Sequence, residues 1–263
     1  LNSQLSSLVL DLGDGDSQVS LSNDSNGTFR LSRVVRESIN DIVIAKPTSI
    51  LGIRGEGGLD RLVLNNVDLG STSLSVDMEQ IELPTSSTVT SQSNLLLMAS
   101  SSFSGNLGPA MIGSGELDIS ASIDVAGTLE VQGNVVLAAQ INVDLQQDVA
   151  LTGFYTVNGN TNASVRVTSG AQITAHSLSL SSITESTWAV AANDGLIGGR
   201  LALDLDQTTE AVVDGGVTLS LAPEVDEDGS VNAGLVIEAM DWTDASVLLD
   251  MADGNIKGLA KNT

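Results

Sequence analysis

Glycine interleaved with carboxylate is the chemistry that stands out first along this chain. Two stretches have it: Leu12-Gly13-Asp14-Gly15-Asp16-Ser17-Gln18-Val19-Ser20-Leu21 and Gly55-Glu56-Gly57-Gly58-Leu59-Asp60-Arg61-Leu62-Val63-Leu64. Glycine lets the backbone turn sharply enough to aim carbonyl oxygens at one point, and Ca²⁺ is held by such carbonyls together with carboxylates. A third acidic run, Glu224-Val225-Asp226-Glu227-Asp228-Gly229-Ser230, carries an Asp-x-Asp-Gly core of the kind found in calcium loops. Asp14, Asp16, Asp60, Asp226 and Asp228 are therefore the candidate ligands and Ca²⁺ the candidate cofactor. The competing reading makes the first two stretches glycine-rich corners and the third a solvated loop after Pro223.

Other chemistries find less support. His176 is the only histidine and cysteine is absent, so neither a thiolate site nor a typical catalytic zinc site can be assembled. A Ser-His-Asp triad would have to use His176, which stands at an alternating position between Ala175 and Ser177 and reads as an exposed side chain. Glycoside cleavage needs two opposed carboxylates, and a lyase needs a basic partner. No lysine or arginine falls between Leu62 and Val165, although ten acidic residues do. A carbohydrate-active enzyme is thus the alternative to a non-catalytic chain, with no catalytic residue assigned. Arg30, Arg33 and Arg36 read as a salt-bridged surface beside Glu37 and Asp41. Trp188 and Trp242 either stack sugar rings or fill and cap the core.

The elements that must position these residues are strands. From Leu117 to Val125 apolar and polar residues alternate with a period of two, and the same alternation recurs at Leu178–Leu180, Leu203–Leu205 and Val217–Leu221. Glycine, serine, threonine and asparagine interrupt nearly every helical window; the exception is Arg30 to Asn40, where three arginines three apart leave a short helical turn open beside the strand reading. Ala121-Ser-Ile-Asp-Val125, Leu129-Glu-Val131 and Val135 to Ala139 match Ala163-Ser-Val-Arg-Val167, Ile173-Thr-Ala175 and Leu178 to Ser182. Leu97, Leu137, Leu180 and Leu219 serve as reference points with a period near 40. That period reads as two coils of about 20 residues in a parallel β-solenoid, a rod of roughly 60 Å at about 4.8 Å per coil. A β-sandwich or a propeller is the alternative. Three Phe, one Tyr and two Trp in 263 residues suit a thin core of Val, Leu, Ile and Ala better than a globular centre. Three regions follow: N-terminal β repeats with the glycine turns over 1–70, repeats of period near 40 over 71–222, and a C-terminal β segment after the acidic loop over 223–263.

The two glycine–aspartate stretches resemble degenerate copies of the RTX nonapeptide, Gly-Gly-x-Gly-x-Asp-x-apolar-x, a family in which stacked turns hold Ca²⁺. The first has Ser17 where the Asp is expected and the second has Glu56 in place of a Gly. The Ala-Ser-Val-x-Val, Gly-Ala-x-Ile-x-Ala, Leu-x-Leu-x-Ser layout from Ala163 to Ser182 resembles the β-helical repeats of filamentous-haemagglutinin-like adhesins and giant bacterial surface proteins. That resemblance spans Leu51 to Ala222 and implies an elongated, exported bacterial stalk or adhesin, secreted or at the cell surface, with surface glycans or cell-surface proteins as partners. A formal net charge of -23 argues against nucleic acid and anionic membranes as partners. No apolar run reaches the roughly 18 residues that span a bilayer. The chain opens at Leu1 without an export signal, which reads as a piece processed from something longer, and end-to-end self-association or continuation into further repeats is expected.

Overall fold

The computed structural model describes residues 5–13, 15–24, 27–35, 38–107, 116–149, 154–192, 200–222 and 234–249. Among the described residues there are strands and no helix. The first sheet contains β1 (Ser7–Asp11), β5 (Ile50–Arg54), β8 (Ser73–Met78), β11 (Leu95–Gly105), β14 (Val135–Val149), β17 (Leu178–Ala192) and β20 (Leu235–Leu249), in that spatial order. The second runs β18 (Arg200–Val213), β15 (Phe154–Val167), β12 (Glu116–Val125), β9 (Gln80–Leu83), β6 (Asp60–Asn65), β2 (Ser17–Asn23), β3 (Thr28–Val35) and β4 (Ser38–Ala45). The third runs β19 (Thr218–Leu221), β16 (Gln172–Ala175), β13 (Thr128–Val131), β10 (Thr88–Ser91) and β7 (Val67–Asp68). From β5 onward the chain visits first, second and third sheet in that order five times before β20 returns to the first. Every pairing in this part is parallel.

Register follows the repeated residue types. Ala121 pairs Ala163, Ile123 pairs Val165 and Val125 pairs Val167; Leu97 pairs Leu137, which pairs Leu180. Like side chains therefore stack in columns. The inward columns, such as Leu62–Ile81–Ile123–Val165 and Val67–Val89–Leu129–Ile173, are almost fully buried and form one continuous apolar core. Alternation supplies the outward columns of Ser, Thr, Asp, Glu and Gln.

Four expectations need correction. A spacing near 40 is a single step between neighbouring strands, not two: Leu95 pairs Val135 directly. Rounds of about 20 residues occur only early, where Leu51 pairs Leu74 and Leu74 pairs Leu95. The cause is strand length, which grows from 5 residues in β5 to 15 in β14, so that one circuit consumes twice the chain. The first sheet is seven strands deep, about 29 Å at the usual strand spacing, and its last strands are about 50 Å long. The described body is thus shorter than the expected rod and flares toward β20. Leu219 also leaves the proposed leucine series, since it lies in the third sheet and pairs Ile173, whereas Leu180 pairs Ile237. Finally, Arg30 to Asn40 forms no helical turn within the described residues. β3 and β4 are an antiparallel hairpin added to β2, with Phe29 and Leu31 buried beneath; period-two burial outweighs the arginine spacing.

Strands on either side of the expected boundaries share sheets, since β7 pairs β10 and β17 pairs β20. In the widened part the interior is filled in two ways. Trp188, fully buried from β17, lies over Gly159 of β15, where an added Cβ would fall 2.2 Å from the ring. Nearer β20, hydroxyl and amide groups bond one another: Thr184 to Thr209 at 2.7 Å and Gln207 Nε2 to Ser186 Oγ at 2.8 Å.

Candidate functional site

The two glycine–aspartate stretches, 43 residues apart, stack directly on one another. β1 pairs β5 and β2 pairs β6 on either side of them. Between the strands Leu12 N–H donates to the Arg54 carbonyl at 2.9 Å, Gly15 N–H to the Gly57 carbonyl, and Leu59 N–H to Asp16 Oδ1 at 2.9 Å. Gly58 has φ +109° and approaches Asp16 so closely that a Cβ would sit 2.7 Å from the Asp16 nitrogen. Glycine is needed there both for the left-handed turn and for the approach.

Asp16 is exposed, but Asp60 is fully buried. As the first residue of β6 it points inward against Gly55, whose missing side chain makes the room: a Cβ on Gly55 would meet Asp60 Oδ2 at 2.1 Å. Asp60 N–H donates to Glu79 Oε2 at 2.9 Å, and Glu79 is itself buried. Neither Asp60 carboxylate oxygen has a hydrogen-bond partner. The Ser17 hydroxyl and N–H lie beside it and pull the other way, although the hydroxyl is directed to the Gly15 carbonyl and accepts from Arg33 at 2.8 Å. Burial therefore dominates and holds the Asp60 carboxyl above the ordinary range, with Asp16 adding to the rise and Arg33 opposing it. Glu79 is raised as well, first by burial and then by Asp60 and Asp77, against the bond from Asp60 N–H.

Of the candidate Ca²⁺ ligands, the fold brings Asp16 and Asp60 together with Glu79, which the sequence did not single out. Asp14, Asp226 and Asp228 lie outside the described residues. Among the described residues no group of three or more His, Cys, Asp or Glu side chains is arranged to hold a metal ion. Arg30 is salt-bridged to Asp24 at 2.7 Å and Asp41 at 3.4 Å, whereas Arg36 and Glu37 lie outside the described residues. Trp188 belongs to the core and Trp242 is 54% exposed.

A second site was not read from the sequence. A groove of about 490 Å³ runs along the outer side of the third sheet, lined among others by Asp68, Thr90, Glu130, Gln132, Thr174 and His176. Asp68 pairs Thr90, Thr90 pairs Glu130, Glu130 pairs Thr174 and Thr174 pairs Ser220, so one polar column crosses all five strands. Gln92, Gln132 and His176 stand beside it. Glu130, Gln132, Thr174 and Ser220 are exposed and His176 is half-buried, which corrects its expected exposed position. Bonds from Thr90 Oγ1 and Gly70 N–H at 3.0 Å each, and Lys46, overcome the effect of burial and hold the Asp68 carboxyl below its ordinary range. The signal that finds this groove is the outward position within each repeat, once the repeats are laid in register.

No protein-family model, curated protein or solved structure matches this chain. No described helix is long and apolar enough to cross a membrane.

Proposed function

We propose that this chain is a parallel β-solenoid segment serving as a non-catalytic structural and adhesive module of a large bacterial protein, secreted or displayed at the cell surface. One observation carries the reading: the chain passes through three sheets in a fixed cyclic order with like residues in register. Each round rests only on its neighbours, so such a body lengthens by adding rounds and presents outward residues as continuous columns. The acidic surface opposes lateral clumping of such bodies.

Continuation beyond β20 is part of the proposal. β18 and β20, 14 and 15 residues long, and β19 end their sheets on the same side. Ile237, Trp242 and Val247 of β20 are exposed. Among the described residues no strand pairs the outer edges of β18, β19 and β20, and long unpaired edges template further pairing. Identical copies stacked head to tail match poorly, because β1 at the far edge has only 5 residues. Further rounds of comparable width fit the edge better. Antibodies against the chain should label intact cells of the source bacterium; labelling only after lysis would overturn the surface assignment.

A Ca²⁺-stiffened spacer is the second reading, favoured by the direct stacking of the two glycine–aspartate turns. Asp16 and Asp60 would supply carboxylate oxygens there and the glycine turns their carbonyls. A melting temperature equal in EDTA and in millimolar Ca²⁺ would dismiss it.

A further inference from the structure

The groove along the third sheet has a regularity that an accidental surface cleft lacks. Its walls are columns of register partners: Asp68, Thr90, Glu130, Thr174 and Ser220 in one, with Gln92 and Gln132 beside them. Neighbours within a column are about 4.8 Å apart, so over β10, β13 and β16 the groove repeats a pair of polar side chains, Thr90 with Gln92, Glu130 with Gln132 and Thr174 with His176, at that interval along the stacking direction.

We propose that this groove binds a linear, uncharged glycan lying along the stack, which gives the adhesive reading above its ligand class and rests on it. Hydroxyl and amide side chains both donate and accept, and carboxylates accept from two neighbouring donors. Sugar hydroxyls, which also donate and accept, are the complementary groups. An extended β-linked chain advances by nearly one strand spacing per ring, so successive rings meet equivalent side chains. Charge selects among polymers: Asp68 is paired with Lys46 at 3.3 Å, but Glu130 and the formal net charge of -23 repel uronates, sulfated glycans and nucleic acids. A peptide adding as a strand needs an open backbone edge. The groove offers side chains across paired strands instead.

Isothermal titration with cellohexaose and chitohexaose tests the assignment, with hexagalacturonate as the anionic comparison. At least one neutral hexamer should bind, and the double variant Gln132→Ala/Thr174→Val should weaken it by roughly tenfold or more, the loss of one or two hydrogen bonds. Circular dichroism should be unchanged. Ser179→Ala, in β17 of the first sheet, should leave binding intact. Hexagalacturonate binding as tight as the neutral hexamers, no binding of either neutral hexamer at millimolar concentration, or binding indifferent to the double variant would each overturn the proposal. Failure here with intact cells still labelled by antibody would sink the glycan assignment and spare the surface module. Release of shorter sugars would support the groove and overturn the non-catalytic reading.

Discussion

Replacing Asp60 by Asn should stabilise the protein at neutral pH. The residue is fully buried, neither carboxylate oxygen is hydrogen-bonded, and the acidic groups Asp16 and Glu79 lie beside it. A buried polar group without partners costs about 1–3 kcal/mol, and more when charged. Asparagine is nearly isosteric and uncharged, so it removes the cost of holding a carboxylate beside Asp16 and Glu79. The loss of the interactions with the Ser17 hydroxyl and N–H, and then of the attraction to Arg33, offsets part of the gain. A net gain of about 1–3 kcal/mol corresponds to about 3–9 °C in melting temperature for a chain of this size. The pH dependence fixes the cause. A carboxyl whose folded pKa is raised carries no penalty below its unfolded value near 3.9, and the penalty grows as pH rises toward the folded value. The difference between Asp60→Asn and the parent should therefore be largest at pH 7 and vanish below about pH 4. Thermal unfolding followed by circular dichroism from pH 3.5 to 8 in EDTA measures it. A variant less stable than the parent at pH 7 in EDTA would refute the reasoning. A loss seen only with Ca²⁺ present would make Asp60 a ligand.

Gly159→Ala should cost about 1–3 kcal/mol by overpacking against Trp188, and Trp188→Ala about 3–5 kcal/mol by leaving a cavity; in the double variant the losses should fall short of their sum. Chemical denaturation of the three variants measures this. Asn94→Ala removes the Oδ1 acceptor of the Asn134 N–H, bonded at 2.9 Å between consecutive rounds, and should cost about 0.5–1.5 kcal/mol with the unfolding slope unchanged. If the stacked turns hold Ca²⁺, Asp16→Ala should abolish any rise in melting temperature between EDTA and millimolar Ca²⁺; an undiminished rise would place the ion elsewhere.

Strand identity and much of the register were legible because both depend on local alternation and on like side chains stacking. Ala121 with Ala163 and Val125 with Val167 are partners by composition and by hydrogen bonding alike. Leu219 was misplaced because a short Leu-x-Leu run looks the same in any of the three sheets, and only the length of intervening chain tells them apart. Coil length was misjudged for a related reason: a period near 40 does not say how many corners it contains. The β3–β4 hairpin was hidden by the arginine spacing. At the site, pairing of the glycine turns was implicit in their similarity, but the burial of Asp60 depends on Gly55 making room and on β6 turning its first residue inward. The polar groove joins residues as far apart as Asp68 and Ser220, and no local window contains it.

From β10 to β19 each three-sheet round takes 40 or so residues, and a distance along the stack tests this path. The chain has no cysteine, so spin labels on Thr88→Cys and Thr218→Cys would report alone. Thr88 pairs Thr128, Thr128 pairs Gln172 and Gln172 pairs Thr218. Three strand steps separate the two sites, and dipolar broadening should give a distance near 14 Å. A distance near 29 Å, as two coils per repeat would require, or one beyond the broadening range altogether, would contradict the account.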